Sequence, residues 1–152
     1  MSQRLRALSV TQPYATNIIH DGKDVENRGW GPRGVSFPFW MAIHATKEDT
    51  GLPRDRYPLG CIMGVARVAR VLHSDSREAA ERRHADPWAM ADCYLWVMDR
   101  KIPLTNTVPC KGRLMLWWVD GELGDRVIAE LGPEATTEVF SVVRAGAEEC
   151  QR

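Results

Sequence analysis

Cysteine is scarce in this chain, and its placement argues against two common classes of small protein. Four cysteines occur in 152 residues, and none forms a C-x-x-C pair or lies near histidine at the spacing of zinc ligands. We therefore predict neither a disulfide framework nor a metal site, and no cofactor. The thiols are interpreted as small buried hydrophobic groups; they belong to Cys61, Cys93, Cys110 and Cys150.

Long apolar segments and an excess of charge are missing as well. No stretch approaches the roughly 18 apolar residues that span a bilayer, and the opening MSQRLRALSV lacks the apolar core of a signal peptide. Lysine and arginine together number 20, as do aspartate and glutamate, so the formal net charge is zero. Any nucleic-acid site must therefore be a local patch. We expect a cytoplasmic protein without a membrane partner, and no feature predicts an oligomeric state.

The overall composition is that of one globular domain, which we place over residues 1–152. Hydrophobic residues make up 44% and charged residues 26% of the chain, both ordinary values for a folded domain. Six segments are strand-like, because β-branched and aromatic residues or alternation mark them. These are residues 7–10, 23–28, 39–45, 59–72, 94–98 and 111–119. So many strands with few helical links favour a partly closed antiparallel barrel over a βαβ fold.

Helices are predicted at few places. A first short helix follows Thr11, a candidate N-cap, has Pro13 in its first turn and ends at Gly22. A solvated helical or loop excursion is predicted over residues 73–90. A second short helix is predicted over residues 124–131, and residues 136–143 form either a last helix or a frayed tail.

Two motifs near the N-terminus together indicate one family. LSVTQPYA spans residues 8–15, and KDVENR spans residues 23–28. In the pattern G-x-K-x-x-E-x-R, the three charged positions are filled by Lys23, Glu26 and Arg28, while the glycine comes one place late. This combination resembles the ASCH domain family, and the similarity extends over roughly residues 8–119.

The resemblance implies an α+β fold that is mainly β. It would be a PUA-like, partly closed antiparallel β-barrel with flanking short helices. A C-terminal helical extension over residues 120–152 is predicted outside the region of similarity. The family also implies that the charged motif lines a basic cleft.

The charges and spacing of the motif residues suit them to binding a ligand. On an extended segment Glu26 and Arg28 project on one face, and Lys23 near the turn can reach over the same cleft. Two cations and a carboxylate can hold a phosphate or bond a base edge. A surface ion-pair ladder is the structural alternative. We predict ligand binding by these three residues, with Asn27 at a base edge and Lys111 on phosphate.

Aromatic and histidine residues extend the candidate site. Among six tryptophans, Trp30 follows the motif in a glycine-rich loop and is predicted to stack on a base. Trp117 and Trp118 are neighbours on a strand, so one should face the core and the other should face outward. His44 is predicted to contact the ligand or transfer protons, and a satisfied structural histidine is the alternative.

Two functions follow from the resemblance, and both are kept. The first is a binding module for single-stranded RNA or DNA, or for a nucleoside or nucleotide. The second is a hydrolase, either an amidohydrolase on acylated cytidine or a ribonuclease, with catalytic Lys23 and Glu26 and weaker roles for His44 and Tyr14. A closed pocket around Lys23 and Glu26 would favour hydrolysis, whereas an open groove would favour strand binding. An adaptor that binds protein through exposed aromatics is a third class.

Overall fold

The computed structural model describes the backbone of residues 4–149 and the side chains of residues 4–141, and this part forms a mixed α/β fold. Its elements in chain order are β1 (Leu5–Val10), α1 (Tyr14–His20), β2 (Val25–Arg28), β3 (Phe39–Ala45), β4 (Cys61–Leu72), α2 (Arg77–Ala85), β5 (Tyr94–Pro109), β6 (Leu116–Val119), α3 (Gly121–Leu131) and α4 (Pro133–Glu149). None of the helices in the described part is long and apolar enough to cross a membrane.

The sheet differs from the expected antiparallel barrel in two respects. Its strand order is β2-β5-β4-β3-β1-β6, and β1 pairs in parallel with β3, whereas the other ladders are antiparallel. The chain passes through α1 and β2 between β1 and β3, and such a crossover permits a parallel pair. In the described part no ladder joins β2 to β1 or β6, so the six-stranded sheet is not a closed barrel.

Two arginines connect β1, the strand next to the β6 edge, with β2 and the loop after it through side-chain hydrogen bonds. Arg28 on β2 donates from Nη2 to the Ser9 carbonyl on β1 at 2.9 Å. Arg6 on β1 donates to the carbonyls of Arg33 and Gly34, in the loop after β2, at 3.1 and 2.7 Å. Because these contacts join β2 at one edge to β1 near the other, the sheet is curled, and β2 lies close to the end of β1.

Most predicted strands are confirmed, and β3 has the expected bounds. Two are wrong in extent. β5 continues through Pro103 and Pro109 as one strand paired with β4, and Pro103 is tolerated beside a register irregularity between Ile62 and Gly64. Residues 111–115 form a loop before β6.

The helix predictions are confirmed more closely at their ends than at their starts. Pro13 is the N-cap of α1, and no side chain caps it. Gln12 compensates, because its Oε1 accepts from the Thr16 amide at 3.0 Å, so Thr11 does not have the expected role. Gly22 has the predicted left-handed backbone, with φ of 77°. Residues 136–143 belong to a helix, α4.

Core residues lie on both faces of the sheet. Val127, Leu131 and Phe140 from α3 and α4 pack on one face, and α1 packs on the other face with Ile18 and Ile19. The prediction for the tryptophan pair is confirmed, since Trp117 is buried and Trp118 is exposed. Three cysteines are free thiols, buried at Cys61 and half-buried at Cys93 and Cys110, while Cys150 lies outside the described residues.

Gly64 on β4 provides a test of the packing beneath α1. A Cβ there would lie 2.7 Å from the Ile102 carbonyl oxygen and 2.9 Å from the Ile19 Cδ1 atom. Gly64→Ala should therefore lower the free energy of unfolding by roughly 1–3 kcal/mol, the range for overpacking, as measured by denaturant titration. Gly29→Ala is the control, because a Cβ there meets nothing within 4 Å. Equal stability of the two variants would contradict this packing.

Candidate functional site

The charged motif is positioned by β2 and by the turn before it. Gly22 allows the chain to leave α1, and the Lys23 amide donates to the Asn17 carbonyl at 3.0 Å. Glu26 then pairs with Trp96 and Arg28 with Tyr94 of β5. Because paired residues share a face, Glu26 and Arg28 project on the face that carries Trp96, as the sequence predicted.

Lys23, Glu26 and Arg28 meet in a largely buried cluster. The Lys23 Nζ atom is 3.8 Å from Glu26 Oε1, and Arg28 Nη2 is 3.9 Å from Glu26 Oε2. The side chains of Lys23 and Glu26 are only 2% and 8% exposed. Burial lowers the pKa of Lys23 below its usual 10.5, and the Glu26 carboxylate offsets part of that effect. The cluster is therefore an internal pair with a partly exposed arginine, and not a surface ladder.

Two buried polar atoms of this cluster have no hydrogen-bond partner. Glu26 Oε1 accepts from the Asn27 amide at 2.9 Å, but Glu26 Oε2 and Arg28 Nε are unpartnered. A buried polar atom without a partner is destabilising by about 1–3 kcal/mol, and more when it is charged. The two atoms provide one free acceptor and one free donor, on side chains whose charged groups approach to 3.9 Å.

Aromatic rings from two elements surround the Lys23 ammonium group. Its Nζ atom lies 5.8 Å from the centre of the Tyr14 ring and 6.0 Å from that of Trp88. It also donates to the Val25 carbonyl. Tyr14 is 48% exposed on α1, while Trp88 is half-buried in the loop after α2. Together with Lys23, Glu26 and Arg28, these rings make up what we call the Lys23 site.

Asn27 holds the loop that carries Trp88. Its Nδ2 donates to the Trp88 carbonyl at 2.8 Å, and its Oδ1 accepts from the Met90 amide at 2.9 Å. Asp86 adds a third bond by accepting from the Trp88 amide at 2.9 Å. Since both ends of the Asn27 amide are engaged, this residue contributes to the site through Trp88 and does not present its amide to a base.

Trp30, the predicted stacking platform, is part of the core packing. It is half-buried and meets Trp96 edge-on, with ring centres 5.0 Å apart. The Trp30 carbonyl accepts from Trp96 Nε1 at 3.2 Å. The aromatic residues at Lys23 are instead Tyr14 and Trp88.

His44 is buried in a satisfied network on the other face of the sheet. Its Nε2 is 3.0 Å from the Cys110 carbonyl, which can only accept, so this nitrogen carries the proton. Its unprotonated Nδ1 lies 3.2 Å from Ser9 Oγ, and that hydroxyl oxygen accepts from Trp117 Nε1 at 3.1 Å. Burial lowers the pKa of His44, which favours the neutral ring.

The Ser9–His44 pair has the composition of a nucleophile and its base, but a glycine covers it. A Cβ on Gly112 would lie 2.5 Å from His44 Cε1 and 2.7 Å from Ser9 Oγ. The Gly112 backbone therefore packs directly against both side chains. The arrangement agrees with the structural alternative for His44 and fixes the loop that carries Lys111.

Other parts of the predicted site lie apart from the cluster. Lys111 is exposed in the loop before β6. A cavity of about 350 Å³ lies between β4 and α2, and none of the Lys23-site residues lines it. Within the described residues no three His, Cys, Asp or Glu side chains are grouped closely enough to hold a metal ion.

Comparison with known proteins adds no assignment. No model of a protein family matches the chain. A search of curated proteins finds no significant match either. The similarity to ASCH domains therefore stays a prediction from the motif residues.

Sequence reasoning identified the three charged residues but missed Trp88 and Ser9. Trp88 lies 62 positions after Glu26 in a charged, alanine-rich segment, and only the Asn27 hydrogen bonds bring it to the site. Ser9 contributes through its backbone carbonyl, which no side-chain pattern indicates. The abundance of tryptophan was the one available signal.

The lowered pKa of Lys23 predicts a pH-dependent stability. Between the lowered folded pKa and the unfolded value near 10.5, the unfolded chain binds more protons, so the free energy of unfolding rises with pH. Lys23→Met lacks the titrating group. The native-minus-variant difference in unfolding free energy should therefore increase as the pH is raised from neutrality toward 10.5. A constant or falling difference in denaturant titrations would show that Lys23 is not desolvated.

Proposed function

We propose that the protein is a binding module for single-stranded RNA or DNA, or for a nucleotide, and that a base binds at the Lys23 site. The observation that carries the proposal is the unpartnered pair Glu26 Oε2 and Arg28 Nε. Base edges present hydrogen-bond donors beside acceptors. A base N–H could donate to Glu26 Oε2 while an adjacent base acceptor receives the Arg28 Nε–H, and both buried atoms would be satisfied.

The surroundings of the pair support the same ligand class. Tyr14 and Trp88 offer ring faces on which a base can stack. Lys23 has N–H groups beyond the one bonded to Val25, and a phosphate or base oxygen can accept from them. The resemblance of residues 8–119 to ASCH domains is in agreement with this interpretation.

Trp88 offers a direct test of base stacking. Trp88→Ala should weaken binding of nucleoside monophosphates or a short single strand by roughly 1–3 kcal/mol, the range for one stacked base, as measured by calorimetry. Trp88→Phe keeps a ring face and should retain most of the affinity. Thermal unfolding of both variants controls for loss of the fold. Unchanged affinity in Trp88→Ala would remove Trp88 from the binding site.

A hydrolase is the second candidate. It is favoured because Lys23 and Glu26 form a buried pair and do not line an open groove. A lysine of lowered pKa beside a carboxylate can act as a general base toward water. Lys23→Arg and Glu26→Gln would each remove that capacity, since arginine does not deprotonate near neutral pH.

Turnover of an acylated cytidine or of RNA separates the two candidates. The resemblance implies that the amidohydrolase branch of the family uses a threonine nucleophile three residues after the lysine, and that position holds Glu26 here, which cannot be activated as a hydroxyl is. We therefore expect the unmodified protein to show no turnover above a catalyst-free control. Hydrolysis by the unmodified protein that disappears in both Lys23→Arg and Glu26→Gln would replace the binding proposal with an enzymatic one.

A further inference from the structure

The two edge strands of the sheet differ in how they are protected against pairing with another chain. In the described part, β2 forms one edge of the strand order and β6 forms the other. β2 has the sequence VENR, and charged side chains on an edge strand oppose edge-to-edge pairing. β6 has the sequence LWWV, without a charge or a proline. Of the two edges, β6 is therefore the one that can accept a further strand.

Half of the backbone groups of β6 point away from β1. In an antiparallel ladder alternate residues direct both their N–H and their C=O groups to the same neighbour. β6 pairs with β1 from Leu116 to Val119. Its residues form no further backbone hydrogen bond with the rest of the described chain. A strand added on the outer side of β6 would satisfy the remaining groups.

Exposed apolar side chains are concentrated at the same edge. Of the six large hydrophobic side chains that are exposed in the described part, three belong to residues 114–118. Leu114, Met115 and Trp118 are 91%, 54% and 42% exposed. Such a group on the surface of a small domain favours association, because contact with another chain removes it from water.

Opposite charges lie at the two ends of this apolar segment, residues 114–119. Lys111 and Arg113 precede it, Asp120 and Glu122 follow it, and all four side chains are exposed. Asp120 lies 3.5 Å from Arg4, whereas Arg113 and Glu122 form no ion pair with the described residues. A second copy in antiparallel orientation would bring the positive end of each segment to the negative end of the other. The edge is therefore complementary to itself.

We propose that β6 is the interface of a twofold-symmetric homodimer, in which the β6 edges of two copies pair as antiparallel strands. A twofold interface uses the same surface patch of both subunits, so the patch must complement itself. The segment meets that condition in its free backbone groups, its exposed apolar side chains and its opposite end charges. The proposal does not depend on ligand binding at the Lys23 site.

The alternation of the strand limits the register of this dimer. Only residues that face outward can pair across the new ladder, so the twofold axis must pass through a residue position. An axis at Trp117 pairs Leu116 of each chain with the partner's Trp118, which is an apolar contact. It also brings Arg113 to the start of the partner's α3, next to the partner's Glu122.

A charge swap tests this interface. Sedimentation velocity over a range of protein concentrations should show a monomer–dimer equilibrium for the unmodified protein. Arg113→Glu and Glu122→Arg each bring like charges together twice in a twofold dimer. Each should therefore raise the dissociation constant of the dimer at least tenfold. The double variant Arg113→Glu/Glu122→Arg restores opposite charges between the two chains and should recover dimerisation.

Arg77→Glu is the matched control, because it makes the same charge reversal at a side chain on α2 that is 92% exposed. It should leave the dissociation constant unchanged. Thermal unfolding of all variants controls for the fold, since Glu122 lies in the first turn of α3, where a positive charge is unfavourable. In hydrogen exchange, alternate amides of β6 should become protected as the dimer of the unmodified protein forms.

Four results would overturn the dimer. The first is a protein that stays monomeric at every concentration, which would assign the edge to a strand of another protein. The second is a dimer that tolerates both single charge reversals, and the third is a folded double variant that does not recover dimerisation. The fourth is a dimer whose β6 amides exchange as fast as those of the monomer, because its interface would then lie elsewhere.

Discussion

The guanidinium group of Arg28 connects the fold to the candidate site. Its Nη2 nitrogen donates from β2 to the Ser9 carbonyl on β1, and the same nitrogen lies 3.9 Å from the Glu26 carboxylate. Since no strand ladder closes the sheet in the described part, this bond and those of Arg6 hold the curl. The Lys23 site lies at this junction between β2 and β1. Strand pairing leaves the Ser9 carbonyl there available to a side chain.

The buried Lys23–Glu26 pair is hard to explain by stability alone. Removing two ions from water is unfavourable by several kcal/mol each, and their attraction repays this only when further hydrogen bonds complete both groups. Here Glu26 Oε2 remains without a partner, so the pair is incomplete as a structural element. The rings of Tyr14 and Trp88 lie near the ammonium group. They offset part of the cost of removing Lys23 from water, but not that of Glu26.

The residues that hold the loop before β6 differ from those that the loop exposes. Ser9, His44, Trp117 and Gly112 form a closed network that fixes the loop before β6. That loop carries Lys111 and Arg113, whose side chains are exposed.

The sequence by itself determined the features that depend on neighbouring residues. The bounds of β3, the left-handed Gly22, the helix end at Gly132 and the opposite orientations of Trp117 and Trp118 follow from backbone preferences and from the period of a strand. The face shared by Glu26 and Arg28 follows from the same period.

Only the tertiary structure decided which distant residues meet. The parallel pairing of β1 with β3, the continuity of β5 and the loop over residues 111–115 depend on partners far along the chain. So do the structural role of His44, the engagement of Asn27 by the Trp88 loop and the burial of Trp30 against Trp96. Local preferences carry no information about these contacts, because each is formed by backbone carbonyls and packed rings that the folded sheet brings together.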